Sequence, residues 1–417
     1  MSNIDLTSQI HESAERCLKR CDELAGFSSM EKGVCRIYLS EEHKACNAQV
    51  EKWMRDAGMQ SWQDEAGNCW GRFATADKEA PSIILGSHLD TVKNAGKYDG
   101  ILGVLAALEV VQLFRAHEVT LPFHLDICGF ADEEGVRYGA TLIGSSAVAG
   151  KWQDHWLDLK DADGEDMRSA LSAFHGRTLD PEKASRANDD VLAYLELHIE
   201  QGPVLEQSDL PVGAVSAIAG ARRFTLSVTG MAGHAGTVPM ALRSDALVTA
   251  SKIILRINEL AVEHGVVATV GKISVTPDAV NVIPGRCEFS LDIRSGSDEA
   301  RDAAVDAILA AAQQITDHGA CRFEHHQFHS ASAVKCDTEI TGHIEAAIVS
   351  QGLELKTLLS GAGHDAMVFE GVAPIGMIFV RCKGGISHHP AESVQLDDVA
   401  RGIEVFYDTV LRLRSEL

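Results

Sequence analysis

The sequence lacks any run of about 18 consecutive apolar residues, the length that a helix needs to cross a bilayer, so we expect no transmembrane segment. Basic residues are scarce: 37 Lys and Arg stand against 60 Asp and Glu, which gives a formal net charge of −23. Binding to nucleic acid or to an anionic membrane surface requires basic residues, so this composition argues against both partners. The N-terminal stretch MSNIDLTSQIHESAERCLKRCDEL contains acidic residues and no apolar core, and we therefore expect no secretory signal.

The ten cysteines include no C-x-x-C pair, and a chain of 417 residues is long enough to bury a large core without disulfide bonds. We therefore expect reduced thiols and a cytoplasmic protein of two or three domains. Tyrosine and tryptophan are also few, with five of each. Histidine, in contrast, occurs 18 times, and composition alone leaves its role open.

An alternation of strands and a helix predicts a parallel sheet in the first half of the chain. Residues 82–86 (SIILG) and 123–130 (FHLDICGF) are predicted as strands, and the mostly apolar stretch 101–115 between them as a helix. Strand, helix and strand in this order form a βαβ unit. Further strand-like runs lie at 191–197 and 375–380, and helices are predicted at 5–25 and 41–57.

Residues 221–331 show a different pattern, with several alternating strands and two amphipathic helices. The predicted strands and helices of this region lie at 224–229, 266–274, 287–293, 244–261 and 298–316, the last with Ser297 as its N-cap. We therefore predict an α/β catalytic domain with a mixed, largely parallel sheet and flanking helices, formed by 1–220 and 332–417. The segment 221–331 is predicted to be an inserted α+β domain.

Each of four predicted strands is followed by histidine or carboxylate residues at its carboxyl end. In strand order these residues are His88 with Asp90, Glu133 with Glu134, His198, and His388. Open α/β sheets place their functional sites at this edge, so we expect these side chains to lie close together. Imidazole and carboxylate together are the ligands that zinc and related divalent ions prefer.

The candidate ligands are too many for one tetrahedral ion, but they fit two ions if one carboxylate bridges them. The five candidates are His88, Asp99, Glu134, His198 and His388. Asp90 follows His88 by two residues and could orient its imidazole. Glu133 adjoins a candidate ligand and is placed to act as a general base.

Nine motifs occur in order between about residues 85 and 393: GSHLDTV, YDGILGVLAALE, FADEEGVRYG, ELHIEQGPVLE, GMAGHAGTVPM, NVIPG, LDIRS, SGAGHDA and GGISHHPAE. In this combination the sequence resembles the di-metal M20 aminoacylase/carboxypeptidase-like amidohydrolases. Within that family it is most similar to the branch that acts on ureido compounds. This branch comprises allantoate amidohydrolases, N-carbamoyl-L-amino-acid hydrolases and β-ureidopropionases.

The resemblance implies a role for each matching residue. It makes Asp99 the bridging ligand of two divalent ions, Zn²⁺ or Mn²⁺ with Co²⁺ also possible, and makes Glu133 the general base. The other implied metal ligands are His88, Glu134, His198 and His388, and Asp90 and His234 are implied to assist catalysis. The implied substrate contacts are Gln201, His234, Asn281, Arg294, Gly361, Ala362, Gly363 and His364.

The resemblance also implies that the inserted domain is a lid and dimerisation domain, and hence that the protein is a homodimer. His234 could then serve its own active site or that of the partner. The implied reaction is hydrolysis of a ureido C–N bond in a small carboxylated substrate. We expect allantoate, converted to ureidoglycine, NH₃ and CO₂. The alternatives are an N-carbamoyl-L-amino acid as substrate and, from another class, a metal- or ligand-binding module without catalysis.

Overall fold

The computed structural model describes residues 3–415, so the first two and last two residues of the predicted catalytic domain lie outside the described residues. The α-helices are α1 Asn3–Ala25, α2 Glu41–Asp56, α3 Ile101–Ala116, α4 Ile143–Val148, α5 Met167–His175, α6 Val204–Gln207, α7 Ala246–His264, α8 Asp298–His318, α9 Thr338–Ser350 and α10 Leu396–Arg414. No helix within the described range is both long enough and apolar enough to cross a membrane.

The strands alternate with these helices along the chain. They are β1 Gln60–Gln63, β2 Cys69–Phe73, β3 Ser82–His88, β4 His124–Phe130, β5 Val191–Ile199, β6 Val212–Ile218, β7 Gly220–Thr229, β8 Gly233–His234, β9 Val267–Thr269, β10 Ile273–Thr276, β11 Val282–Ile283, β12 Arg286–Ser295, β13 Arg322–Ala331, β14 Val334–Lys335, β15 Thr357–Ser360 and β16 Ile375–Val380.

The chain divides into two compact units. The first consists of Met1–Ser216, Cys336–Leu358 and Ala362–Leu417, and the second of Ala217–Lys335 and Leu359–Gly361. These limits differ by a few residues from those drawn from the sequence. The short segment Leu359–Gly361 joins the second unit because the carbonyl of Ser360 accepts a hydrogen bond from the Ala219 amide at 2.8 Å.

The first unit contains a mixed sheet with the strand order β1-β2-β4-β3-β5-β16-β6. The prediction of an α/β domain with a mixed sheet is confirmed, and the parallel pairs are those between its central strands: β4 with β3, β3 with β5, and β5 with β16. The strands β3, β4 and β16 are buried along their whole length. Continuous burial is typical of parallel strands covered on both faces, and it explains their uninterrupted apolar sequences.

The helix α3 owes its almost uniformly apolar sequence to its position in the core of the first unit. Nearly all its residues are buried, and it packs against strands β3 and β5 and helices α1 and α10. Its one buried acid, Glu109, accepts hydrogen bonds from Arg16 Nε at 3.0 Å and Arg20 Nη1 at 2.6 Å on α1. A buried carboxylate needs such partners, because burying an unpaired charge is costly.

The second unit has its own sheet, with the strand order β10-β12-β7-β13, and β9 also pairs with β12. Helices α7 and α8 pack together, and Ser297 caps α8 by accepting a hydrogen bond from the Ala300 amide, which confirms the predicted N-cap. The prediction of one strand over 266–274 is wrong, because the chain forms β9 and β10 with a break between them. At the break, the amides of Gly271 and Lys272 donate to Ser290 Oγ at 3.2 and 3.0 Å instead of continuing the ladder.

Candidate metal centre

The carboxyl ends of four adjacent parallel strands converge on one cluster of side chains in the first unit. His88 is the last residue of β3, and His198 is the last but one of β5. Glu133 and Glu134 follow β4, and His388 lies in the loop after β16. Because β4, β3, β5 and β16 are parallel neighbours, their carboxyl ends share one edge of the sheet, where open α/β sheets form their sites.

The carboxylate of Asp99 stands at the centre of this cluster, with each oxygen facing different histidines. Its Oδ1 lies 3.2 Å from Nε2 of His198 and 3.9 Å from Nε2 of His88. Its Oδ2 lies 3.1 Å from Nε2 of His388, which in turn is 3.4 Å from Oε1 of Glu134. Two groups of possible ligands thus share Asp99, one completed by His88 and His198 and the other by Glu134 and His388.

The composition and burial of the cluster fit divalent cations. His88, Asp99 and His198 are almost completely buried, and Nε2 of His198 makes no hydrogen bond of good geometry within residues 3–415. The remaining ring nitrogens face backbone carbonyls: Nδ1 of His198 lies 2.9 Å from the Ile199 oxygen, and Nδ1 of His88 lies 3.1 Å from the Asp90 oxygen. Such contacts fix the orientation of an imidazole and leave Nε2 free to bind a metal. Three imidazoles and two carboxylates are a donor set that zinc and manganese accept.

The pKa values reflect the crowding of acids and imidazoles. Burial lowers the pKa of His198, but the contact with Asp99 and the nearby Glu196 carboxylate act against burial, and the pKa is raised to about 9. The contact with Asp99 likewise raises the pKa of His388 to about 9, and burial raises the pKa of Glu134 to about 7. Burial alone would raise the pKa of Asp99, yet His198 and His388 hold it well below its usual range. Metal ligands bind in their deprotonated forms, so ion binding at this cluster must release protons.

The carboxylate of Asp90 contacts the two glutamates that follow β4. Its Oδ1 and Oδ2 accept hydrogen bonds from the amides of Glu133 and Glu134 at 3.0 and 3.2 Å. Oδ1 of Asp90 lies 3.6 Å from Nδ1 of His88, which is farther than the 3.1 Å between that nitrogen and the Asp90 main-chain oxygen. Asp90 therefore fixes the loop of Glu133 and Glu134, and its main-chain oxygen faces the histidine.

The carboxylate of Glu133 lies beside the cluster without being central to it. One of its oxygens is within 4.8 Å of ligand atoms of both His88 and Glu134. Burial, together with the nearby carboxylates of Glu134 and Asp365, raises the pKa of Glu133 well above its usual range. A carboxyl group in this position can accept a proton from a reacting molecule and return it.

Several loop residues near the cluster adopt left-handed backbone conformations. Asp132, Gln201 and His388 have φ angles of 58°, 55° and 56°, which are unfavourable for residues other than glycine. Gly100 has a φ of 73°, and a Cβ atom there would lie 2.5 Å from the His88 ring. Only glycine fits at that position. Strained backbone of this kind concentrates at functional sites, where the surrounding structure maintains it.

Of the predicted substrate contacts, Gln201, Ala362, Gly363 and His364 lie in the first unit. The Gln201 side chain adjoins the cluster, with Nε2 at 3.0 Å from both Asp99 oxygens and 3.1 Å from Ser387 Oγ. The ring of His364 packs edge-on against the His198 ring at 4.5 Å, and burial lowers the pKa of His364 well below its usual value. Gln201 and His364 therefore belong to the immediate surroundings of the cluster.

The other predicted substrate residues, His234, Asn281, Arg294 and Gly361, lie in the second unit. The pairing of β8 with β11 brings two of them together, because the Ala235 amide donates to the Asn281 oxygen at 3.0 Å. The side chains of His234 and Asn281 are both exposed.

Arg294 lines a cavity of about 530 Å³ that lies within the second unit. Its Nε and Nη2 donate to the Asp292 carboxylate at 2.8 and 3.0 Å, and its Nη1 donates to the Gly361 oxygen at 2.7 Å. A guanidinium has five N–H groups, so one remains on each terminal nitrogen. The side chain of Arg294 is thus held in place in the wall of the cavity, and these hydrogen bonds leave two of its N–H groups unused.

Glu196, which has no role predicted from the sequence, also contributes to the cluster. Glu196 is fully buried and accepts hydrogen bonds from Ser87 Oγ at 2.9 Å and Tyr194 OH at 3.0 Å. It also forms a group of possible ligands with His198 and His364. Glu196 and His198 are two residues apart on a strand, in the sequence ELH, so their side chains lie on the same face of the sheet. This spacing is a sequence signal that could have identified Glu196.

The family model, the relatives and the solved structure that resemble this chain all indicate the same family. The sequence model of Peptidase family M20/M25/M40 matches residues 84–412. The chain is 40% identical over 404 residues to an N-carbamoyl-L-amino acid amidohydrolase of Geobacillus stearothermophilus, covering 96% of this chain and 98% of that protein. It is 37% identical over 416 residues to a probable allantoate deiminase of Oryza sativa subsp. japonica, covering 91% and 84%. The crystal structure of an amidase of the hydantoinase/carbamoylase family from Burkholderia multivorans superposes with a TM-score of 0.91 at 30% identity, covering 96% and 97%.

Proposed function

This chain belongs to peptidase family M20/M25/M40 and to its ureido-hydrolysing branch, and we propose that it hydrolyses allantoate to ureidoglycine, ammonia and CO₂ with two divalent ions. The observation that carries the proposal is the pair of ligand groups that share Asp99, with the Glu133 carboxylate beside them. We assign one ion to His88, Asp99 and His198 and the other to Asp99, Glu134 and His388. The ions are Zn²⁺ or Mn²⁺, with Co²⁺ as a further possibility.

Divalent ions bound in this cluster would activate water near neutral pH and polarise the ureido carbonyl. The carboxylate of Glu133 accepts the proton of the attacking water and delivers it to the leaving nitrogen. Asp90 keeps Glu133 in place through its hydrogen bond to the Glu133 amide. Loss of ammonia leaves a carbamate, which releases CO₂ and the amine product.

The second unit supplies residues that recognise the substrate, and we assign to it the role of lid and dimerisation domain. The two remaining N–H groups of Arg294 match the two oxygens of a carboxylate, a geometry that favours arginine over lysine. His234 donates to the oxyanion, and Asn281, together with Gln201 of the first unit, binds the ureido or carboxylate groups of the substrate. The exposure of His234 and Asn281 is consistent with contact to a ligand.

The second candidate substrate is an N-carbamoyl-L-amino acid, favoured by the 40% identity to the Geobacillus stearothermophilus amidohydrolase. Ammonia release from allantoate and from N-carbamoyl-L-methionine, assayed side by side with each metal, tests the proposal. A higher kcat/KM on allantoate supports it, and a higher kcat/KM on the carbamoyl amino acid replaces it with the second candidate. No turnover of either substrate by protein carrying two ions would favour a binding module without catalysis.

Replacing Arg294 with lysine is expected to raise KM for carboxylated substrates about 10- to 100-fold with little change in metal content. Lysine keeps the charge but loses the paired N–H donors and the contact with Asp292. The loss of one or two charge-assisted hydrogen bonds accounts for a change in KM of this size. Steady-state kinetics and metal analysis on the same preparation check this. An unchanged KM would remove Arg294 from the substrate site.

We propose a homodimer formed through helix α7 of the second unit. One face of this helix packs into the core of the unit with Ala250, Ile253 and Ile257. Three apolar side chains spaced by seven residues lie on another face and are exposed: Val248, Leu255 and Val262, at 49%, 67% and 78%. Seven-residue spacing keeps these side chains nearly in line, with a drift of about 20° per heptad, so they form a narrow apolar stripe along the helix. A second copy of the same helix would cover it.

Replacing Leu255 with aspartate is therefore expected to convert the dimer to a monomer at micromolar concentration, because it introduces a charge into the middle of the stripe. Sedimentation velocity measures the result, and replacement of the partly exposed Arg256 with glutamine provides a control on the same helix. A monomeric wild type, or a Leu255→Asp variant that remains dimeric, would contradict this assignment of the interface.

We also propose a cytoplasmic location. All ten cysteines are free thiols, and nine of them are buried. Reduced cysteine is usual in the cytosol and unusual in secreted proteins of this composition.

A further inference from the structure

Glu392 lies next to the metal-ligand cluster, where its carboxylate connects two loops of the first unit. We propose that Glu392 is a positioning residue that sets the geometry of the shared ligand Asp99 and of His388. The inference rests on the proposed metal site and deepens it. It concerns a residue that forms part of the GGISHHPAE motif and has no role in the mechanism given above.

The contacts of Glu392 join segments almost 300 residues apart in the sequence. Its Oε1 accepts hydrogen bonds from the amides of Tyr98 at 2.7 Å and Asp99 at 3.2 Å. Its Oε2 lies 3.2 Å from Ser387 Oγ, and the same hydroxyl is 2.8 Å from Asp99 Oδ2. Glu392 therefore reaches Asp99 twice, directly through the backbone and indirectly through the residue that precedes His388.

The side chain of Glu392 is buried and closely packed against Gly96. Glu392 is 5% exposed, and a Cβ atom built on Gly96 would lie 2.4 Å from both its Cβ and its Oε1. A buried carboxylate that lost these hydrogen bonds would pay the full cost of desolvation, so the side chain and both loops are held together. The close approach of Gly96 also gives a way to displace Glu392 without altering its chemistry.

The two ligand groups depend on Glu392 to different extents. Asp99 belongs to both groups, but His388 belongs only to the group with Glu134. The side chain of His388 is half exposed and its φ is 56°, and the residue before it, Ser387, contacts Oε2 of Glu392 at 3.2 Å. Loss of Glu392 should therefore weaken mainly the ion held by Asp99, Glu134 and His388. Removing such an outer partner typically lowers metal affinity about 10- to 100-fold.

The experiment compares metal content and metal release in the full-length enzyme and its Glu392 variants. Each protein is loaded with Zn²⁺, dialysed, analysed for zinc per subunit, and mixed with a chromogenic chelator to record the rate of release. In Glu392→Ala, one of the two ions is expected to be released about 10- to 100-fold faster than in the wild type. Glu392→Gln is expected to retain both ions, because its amide oxygen can accept from the two backbone amides and its amide nitrogen can donate to Ser387.

Two further variants separate positioning from general stability. Gly96→Ala displaces Glu392 and is expected to reproduce the fast release of one ion. Glu109→Ala removes another buried glutamate, which lies on α3 and accepts hydrogen bonds from Arg16 and Arg20. This variant is expected to have lower thermal stability and an unchanged rate of zinc release.

Each outcome decides the inference. Wild-type release rates in Glu392→Ala, equal zinc loss in Glu109→Ala, or failure of both Glu392→Ala and Gly96→Ala to fold would overturn it. If wild-type protein binds no divalent ion, the proposed function itself fails. If the wild type and Glu392→Ala both hold two ions equally firmly, only the positioning role fails.

Discussion

Replacing Glu133 with glutamine is expected to lower kcat by roughly 10²- to 10⁴-fold, the contribution typical of general acid–base catalysis, while both ions stay bound. Glutamine has nearly the same size and shape but cannot accept a proton from the attacking water. The Glu133 carboxylate is close to the ligand atoms of His88 and Glu134, yet neither of the groups that share Asp99 requires it. Kinetic measurement and metal analysis on one preparation check both parts of the prediction.

The neighbouring glutamate provides a matched control for this substitution. Glu134→Gln alters a proposed ligand that lies 3.4 Å from His388, so it is expected to lose zinc as well as activity. Glu133→Gln is expected to lose activity alone. Activity within a few-fold of wild type in Glu133→Gln would show that another group acts as the base. Loss of zinc in this variant would make Glu133 a ligand.

The pH profile offers a second readout of Glu133. A general base works only when deprotonated, so activity should fall as the pH decreases through its pKa. Burial and the nearby carboxylates raise the pKa of Glu133, whereas bound cations act in the opposite direction. The residual activity of Glu133→Gln is expected to lack the acidic limb that this group causes in the wild-type profile.

The sequence predicted the centre of the first unit well because its strands are buried on both faces. The prediction for 375–380 has the bounds of β16, and the predicted helix at 101–115 differs from α3 by one residue. In both elements nearly every side chain is apolar because there is no solvent-exposed face. Such runs leave little ambiguity, and the βαβ connection explains why β3 and β4 are parallel.

Elements at the edges were harder to predict, for physical reasons. The strand β13 (RFEHHQFHSA) contains mostly polar residues because it is an edge strand and largely exposed. It was therefore missed. The helix α9 was also missed, although Asp337 caps it by accepting from the amides of Glu339 and Ile340. The break between β9 and β10 depends on the side chain of Ser290 on another strand, which no local pattern reveals.

The candidate site shows the same contrast between local and tertiary information. The strand-end positions of His88, Glu134, His198 and His388 could be read from the sequence, because each follows an apolar run. The contacts of Glu392 could not, because its partners Tyr98 and Asp99 lie almost 300 residues away and are bonded through backbone amides. Every residue except proline has a backbone N–H, so a hydrogen bond donated by a backbone amide cannot be recognised from the sequence. Contacts of this kind, which fix the geometry of loops, are seen only in the structure.

Replacing Asp99 with alanine is expected to remove both ions and to abolish turnover. Its Oδ1 faces His198 and His88, and its Oδ2 faces His388, so one substitution removes a ligand from each group. The effect on affinity should exceed the roughly 100-fold that loss of an outer-shell partner can cost, because a direct ligand is lost. Zinc per subunit after dialysis and ammonia release from allantoate measure the two consequences.

The control for Asp99→Ala is His388→Ala, which removes a ligand from only one group. This variant is expected to retain about one ion per subunit, held by His88, Asp99 and His198, whereas Asp99→Ala retains none. The difference between the two variants tests the sharing of Asp99 independently of catalysis. Retention of one firmly bound ion in Asp99→Ala would mean that the two ligand groups do not share this carboxylate. Loss of both ions in His388→Ala would mean that one ligand group cannot bind its ion while the other is empty.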